Sequence, residues 1–193
     1  MNLEEIKIGK GVEYIEEGLL KTAEKLTAVT LGDNIKMIAS NAFESTKYIN
    51  DVSEYQNGLL ISSDKYLIKV APDVTDCVIP SGVEIIASGA FEKVSTENGL
   101  SEIILPSSLE RLSLNSLRDI PKDTPIRYRG TIEDFCEIST FDESEINLYT
   151  LDDYSIMWAI IITAVVFAFY VVELIISNCI KSKRNKEYEY EDD

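Results

Sequence analysis

The chain has 193 residues, 45% of them hydrophobic and 27% charged, with a formal net charge of −16 and no histidine. Lack of histidine excludes Ser-His-Asp and Cys-His catalysis and every metal site that needs an imidazole, and the strong acidity argues against a nucleic-acid partner. Three cysteines (Cys77, Cys136 and Cys179) form no CxxC pair and are too few for a disulfide scaffold or a zinc finger.

Self-similarity dominates the first two thirds of the chain. Residues 26–43 (LTAVTLGDNIKMIASNAF) align with residues 3–20 at a shift of 23, with 74–91 at a shift of 48, and with 100–117 at a shift of 74. One column reads Ile6, Val29, Cys77, Ile103, and two residues on comes Ile8, Leu31, Ile79, Leu105. A chain-turning residue follows each time: Gly9, Gly32, Pro80, Pro106. Then come Val12, Ile35, Val83, Leu109 and, three later, Ile15, Ile38, Ile86, Leu112, before a closing pair ending at Leu20, Phe43, Phe91 or Leu117. Apolar residues at i and i+2 predict a short strand with one inward face, and Gly or Pro predicts its end. A unit of this size cannot cover both edges of its own core, so the pattern predicts stacked coils with a parallel sheet along one side. Units are expected near residues 3–25, 26–46, 74–93 and 100–120. Cys77 falls in an inward column and reads as a buried core thiol.

The step from the second unit to the third leaves extra residues, within which 57–71 reads as an inserted β-hairpin opened by Asn57-Gly58. It either projects from the array or replaces a unit in it. Residues 125–138 predict one more strand, a Gly-Thr turn and a short helix with Ile132, Phe135 and Ile138 near one face, a cap for the open end of the stack. Cys136, on this helix, reads as structural. At the opposite end the strand that begins near Leu3 would be bare, apolar and unpaired, which points to missing upstream sequence.

These columns resemble BspA-type leucine-rich repeats, carried by LTAVTLGDNIKMIASNAF and CVIPSGVEIIASGAF, by the hairpin-like NGLLISSDKYLIKVAP and by the closing segment IRYRGTIEDFCEI. The resemblance covers about residues 3–138. It implies a leucine-rich-repeat solenoid, with one short strand per repeat in a parallel sheet and turns or short helices opposite. It also implies a non-enzymatic protein or surface-ligand binder of the adhesion and recognition kind, with no catalytic residue and no cofactor. Outward strand positions Lys7, Thr30, Val78 and Ile104 are the expected contact residues, because Val78 and Ile104 are apolar where solvent is expected.

Residues 139–154 are polar and acidic and read as a stalk. Residues 156–172 (IMWAIIITAVVFAFYVV) carry no charge before Glu173, and apolar residues resume as far as Ile180. About 20 apolar residues at ~1.5 Å rise match a ~30 Å hydrocarbon core, so a single C-terminal transmembrane helix is expected over 155–180. No Lys or Arg lies in residues 135–154, whereas Lys181, Lys183, Arg184 and Lys186 follow the span. These four are the expected topology and anionic-lipid residues, and they place the tail, 181–193, in the cytoplasm and the repeats outside the cell. Cys179, at the membrane edge, is a candidate for S-acylation. The segment MNLEEIKIGKGVEYI shows no cationic and apolar leader, which leaves two topologies. Either an exported repeat domain starts further upstream, or a tail-anchored scaffold faces the cytoplasm and recruits a partner to the membrane. The bare first strand favours the former.

Overall fold

A computed structural model describes residues 2–94, 99–112, 114–139, 146–150, 157–173 and 175–176. It divides into two compact units, residues 1–151 and residues 152–193. In chain order the strands of the first unit are β1 (Glu5–Lys7), β2 (Tyr14–Ile15), β3 (Ala28–Thr30), β4 (Met37–Ile38), β5 (Leu59–Ser62) and β6 (Tyr66–Val70). They continue with β7 (Asp76–Val78), β8 (Ile85–Ile86), β9 (Glu102–Leu105), β10 (Ile126–Tyr128) and β11 (Leu148–Tyr149). Short helices α1 (Lys47–Asn50), α2 (Leu114–Leu117) and α3 (Ile132–Ile138) lie between them.

The repeat columns become two rows of parallel strands. In the first row β1 pairs with β3, placing Ile6 opposite Val29. In the same row β7, β9, β10 and β11 form a four-stranded parallel sheet that aligns Cys77, Ile103, Ile126 and Leu148. In the second row β2 pairs with β4, Ile15 opposite Ile38, and β8 pairs with β6, with single bridges at Ile85–Arg111 and Leu112–Ser139. Equivalent residues make equivalent turns. Val12, Val83 and Leu109 donate their N–H to the carbonyls of Gly9, Pro80 and Pro106 at 3.2–3.4 Å. The first two coils approach so closely at this corner that a Cβ on Gly32 would sit 2.8 Å from the backbone of Gly9.

A ladder of contacts between residues 23 apart fixes the stagger of those two coils. Lys25 Nζ donates to Asn2, Thr27 Oγ1 to the Glu4 carbonyl, and the Gly18 N–H to Asn41. Lys10 meets Asp33, Lys36 meets Glu13 and Lys21 meets Glu44, at 3.1, 2.9 and 2.9 Å. Each pair is solvated and contributes about 0–1 kcal/mol. Their value is in register, because a slip by one residue would break all of them while turning the apolar side chains outward.

The inserted hairpin, β5 antiparallel to β6, replaces a unit within the array and does not project from it. Its side chains alternate between two cores. Leu60, Tyr66 and Ile68 join the cluster built from the first two coils, around Ile15, Leu26, Ile38 and Phe43. Leu59, Leu67 and Val70 join the cluster of the later coils, around Ile79, Phe91, Ile103 and Leu105. All five residues of β6 are buried, including Lys69, whose Nζ donates to the Gly89 carbonyl and to Glu92 at 3.0 Å. At the hairpin turn, Ser62 Oγ donates to the Val29 carbonyl and Ser63 Oγ accepts the Leu31 N–H, which ties the hairpin to the earlier stack. Tyr66 Oη donates to the Gly32 carbonyl beside them.

Three expectations are corrected by this arrangement. A single stack would set the column Ile6, Val29, Cys77 and Ile103 one above another inside one core; instead Ile6 and Val29 belong to the first core and Cys77 and Ile103 to the second, because the hairpin stands between. The segment 139–154 is not a stalk throughout, since Leu148 and Tyr149 add a strand beside β10 and Ile146 and Leu148 pack on the second core. Helix α3 does plug that core with Phe135, edge-on to Tyr128 at 5.4 Å and started by a Thr131–Asp134 capping box. It is followed by β11, so it is not the last layer.

In the second unit residues 157–173 are helical and every one of them is exposed. No helix among the described residues is long and apolar enough to cross a membrane. Cys179, Lys181, Lys183, Arg184 and Lys186 lie outside the described residues.

The two cores predict unequal costs for equivalent truncations. Ile103→Ala, at a fully buried column position, should cost about 2–5 kcal/mol in denaturant unfolding followed by circular dichroism. Ile6→Ala, at the half-buried equivalent, should cost well under half as much.

Candidate binding surfaces

The face of the four-stranded sheet turned away from the core carries a stripe of mixed chemistry. Strand register places Val78, Ile104, Arg127 and Tyr149 side by side. Val78 is 47% exposed and Tyr149 41%, while Ile104 is half-buried between its neighbours. Arg127 reaches the Glu102 carboxylate on the adjacent strand, so its guanidinium lies along the sheet with its stem beside Ile104. Asp76 and Glu102 form the next outward column. Aromatic, arginine and aliphatic side chains in one patch are the residue types that dominate protein–protein contacts.

Of the four residues expected from sequence, Val78 and Ile104 are brought together in this stripe. Lys7 and Thr30 are paired with each other on β1 and β3, both exposed, in the separate two-stranded sheet. Lys7 lies 3.9 Å from Glu5 on its own strand. Arg127 and Tyr149 were not anticipated. The alternation of Ile146 and Leu148, with Tyr149 between the inward column and solvent, was the signal that would have found β11.

A second feature is a groove of about 480 Å³ on the second row. Tyr14, Met37, Ile38, Ile85, Ile86 and Leu112 give it apolar walls. Lys36, Glu110, Arg111 and Glu137 bring charge to it. It forms where the first two coils meet the later ones, with the Ser88 N–H donating to the Ile38 carbonyl at 2.9 Å. The corner is tight: a Cβ on Gly89, whose φ is +66°, would approach the Ser40 Cβ to 2.7 Å.

Neither Cys77 nor Cys136 lines the stripe or the groove. Cys77 is fully buried in the second core, where loss of hydration pushes its thiol up to about 12. Cys136 is exposed, which corrects its reading as a structural residue: it lies on the solvent side of α3 while Phe135 takes the core position. At pH 8.5 iodoacetamide should therefore label Cys136 and spare Cys77 until denaturant is added, read by mass spectrometry of tryptic peptides. The same burial sets a pH dependence. A thiol titrating near 9 unfolded and near 12 folded adds stability that is complete below pH 9 and is lost as pH rises towards 12. Cys77→Val should shallow that alkaline loss.

Comparison with known proteins bears on the repeats alone. The family model for the BspA type leucine rich repeat region matches residues 1–120 and 64–155, in six copies. No curated protein matches the chain, and no solved structure does. The matched residues span most of the sequence and contain the columns, the hairpin and the closing segment described above. The chain belongs to the BspA type leucine-rich-repeat family.

Proposed function

We propose that this protein is a non-enzymatic recognition module, tethered to a membrane, whose stacked coils form a short solenoid that binds another protein. The observation that carries the reading is the stripe Val78–Ile104–Arg127–Tyr149. An exposed valine and tyrosine are held there at fixed spacing by a hydrogen-bonded sheet, with the arginine between them. Rigid display lowers the ordering cost of binding, and a flat sheet face suits a folded partner better than a small molecule. Cell-surface adhesion is the role in which such a face meets a partner directly.

The tether rests on the second unit. Residues 157–173 combine helical backbone with exposed apolar side chains on every side, among them Trp158, Ile162, Phe167 and Phe169. Such a helix is unfavourable in water and favourable in lipid. With the apolar residues that follow Glu173, it supports a span over 155–180 and a cytoplasmic tail carrying Lys181, Lys183, Arg184 and Lys186.

Two measurements test the reading. Protease shaving of intact cells should remove an epitope placed before Glu4 and spare one at the C-terminus. Loss of neither on intact cells, with loss of the N-terminal epitope after permeabilisation, would make the protein a cytoplasmic-facing scaffold. A photo-cross-linking residue at position 149 of the full chain in its membrane should give polypeptide adducts. The Val78→Lys/Ile104→Lys variant should reduce them about tenfold, as loss of about 1.4 kcal/mol would. Unchanged adducts would remove the stripe from the binding site.

A further inference from the structure

The hairpin interrupts the first row of strands and so creates two inner edges, one on β3 and one on β7. It closes only the first. Ser62 Oγ donates to the Val29 carbonyl, and Ser63 Oγ accepts the Leu31 N–H and donates to the Leu31 carbonyl, side-chain bonds in place of a ladder. The segment before the hairpin supplies no strand either. Lys47–Asn50 is α1 and Val52–Glu54 a single 3₁₀ turn, and none of their backbone N–H groups donates to β7. The open edge lies inside the array, with described coils before and after it, so it is a product of the insertion.

Hydrogen-bond parity shows which groups of β7 are left over. The Ser101 N–H donates to the Thr75 carbonyl, and the Ile79 N–H to the Ile104 carbonyl. Odd-numbered groups of β7 therefore serve β9, while the N–H and C=O of Asp76 and Val78 point the other way. Among the described residues nothing bonds them. The side chains agree. Asp76 is exposed and Val78 is 47% exposed, whereas Glu102 and Ile104, their counterparts one strand on, are half-buried between neighbours. Charge follows the same division: Glu102 is met by Arg127, and Asp76 by no cation among the described residues.

We propose that this edge takes one strand of a protein partner, parallel to β7 as every other pairing in that sheet is, with a lysine or arginine beside Asp76 and an aliphatic residue beside Val78. The partner residue between those two would donate its N–H to the Asp76 carbonyl and accept the Val78 N–H. That is the arrangement the register gives Cys77 between Glu102 and Ile104. The cation would meet Asp76 as Arg127 meets Glu102, and the aliphatic side chain would cover Val78 as Val78 covers Ile104. Main-chain bonds give such a strand its affinity, and its two outward side chains give specificity. The added strand continues the stripe Val78–Ile104–Arg127–Tyr149 by one member. This proposal rests on the reading of the chain as a recognition module and names the mode of binding.

The probe is a synthetic peptide, acetyl-Thr-Lys-Ala-Val-Thr-benzoylphenylalanine amide, irradiated at about 1 mM with the full chain in lipid vesicles. Adducts are mapped by mass spectrometry of tryptic peptides, and labelling should centre on residues 76–80. N-methylation of the peptide's alanine should lower it about tenfold or more, because that N–H faces β7, while N-methylation of its valine should not. Asp76→Lys should lower labelling by a similar factor, and a peptide with glutamate in place of lysine should restore it on that variant. Asp76 is exposed, so its replacement leaves the fold intact. Labelling that is absent or spread over the chain overturns the proposal, as does indifference to alanine methylation or to Asp76→Lys. Sensitivity to valine methylation alone overturns the parallel seating. Polypeptide adducts at position 149 report the stripe separately, so either site can fail while the other stands.

Discussion

A coil of 23 residues has too little interior to hide its own apolar side chains, and this shortage governs the first unit of the molecule. Each strand offers one inward residue per pleat, so a core exists only where a neighbouring coil supplies the opposite wall. The aligned columns, the repeated turns after Gly or Pro, and the alternation of charge between neighbouring coils all serve that stacking. The hydrophobic contacts provide the energy. The exposed pairs Lys10–Asp33, Lys36–Glu13 and Lys21–Glu44 provide the stagger.

The hairpin changes what the stack is. A strand pair buried on both faces, with Tyr66 and Ile68 on one side and Leu67 and Val70 on the other, joins two short stacks where a single coil would have extended one. Burying Lys69 in that wall is tolerable because its ammonium finds both a carbonyl and a carboxylate. The joint also shapes the surface. The groove between Met37 and Arg111 lies where the earlier coils meet the later ones, and the sheet carrying Val78 and Arg127 belongs wholly to the later stack.

The repeat columns were legible because each coil meets the same environment, so the same residue type recurs at the same place. Cys77 could be read as a core residue from its column alone. The hairpin was legible as a hairpin from Asn57-Gly58 and the flanking strands, but its place was not. Whether both faces of LLIS and YLIKV are covered depends on neighbours distant in sequence. The groove was hidden for a related reason. Tyr14, Met37, Ile85 and Arg111 occupy one column whose members differ in every coil, from exposed Tyr14 to buried Ile85, so no pattern announces them. Leu148 and Tyr149 follow an acidic run, and a two-residue strand is too short for its alternation to stand out against it.

The central claim is that β6 is a wall shared by two cores, so that both stacks stand or fall with it. Native-state hydrogen exchange on the Leu67→Ala variant tests this most directly. Leu67 touches only the second core, yet the account predicts equal loss of protection, about 2–5 kcal/mol, at amides of β3 in the first stack and β9 in the second. Loss confined to β9, with β3 protected as in the parent chain, would mean that the hairpin separates two independent stacks and that the shared wall does not exist.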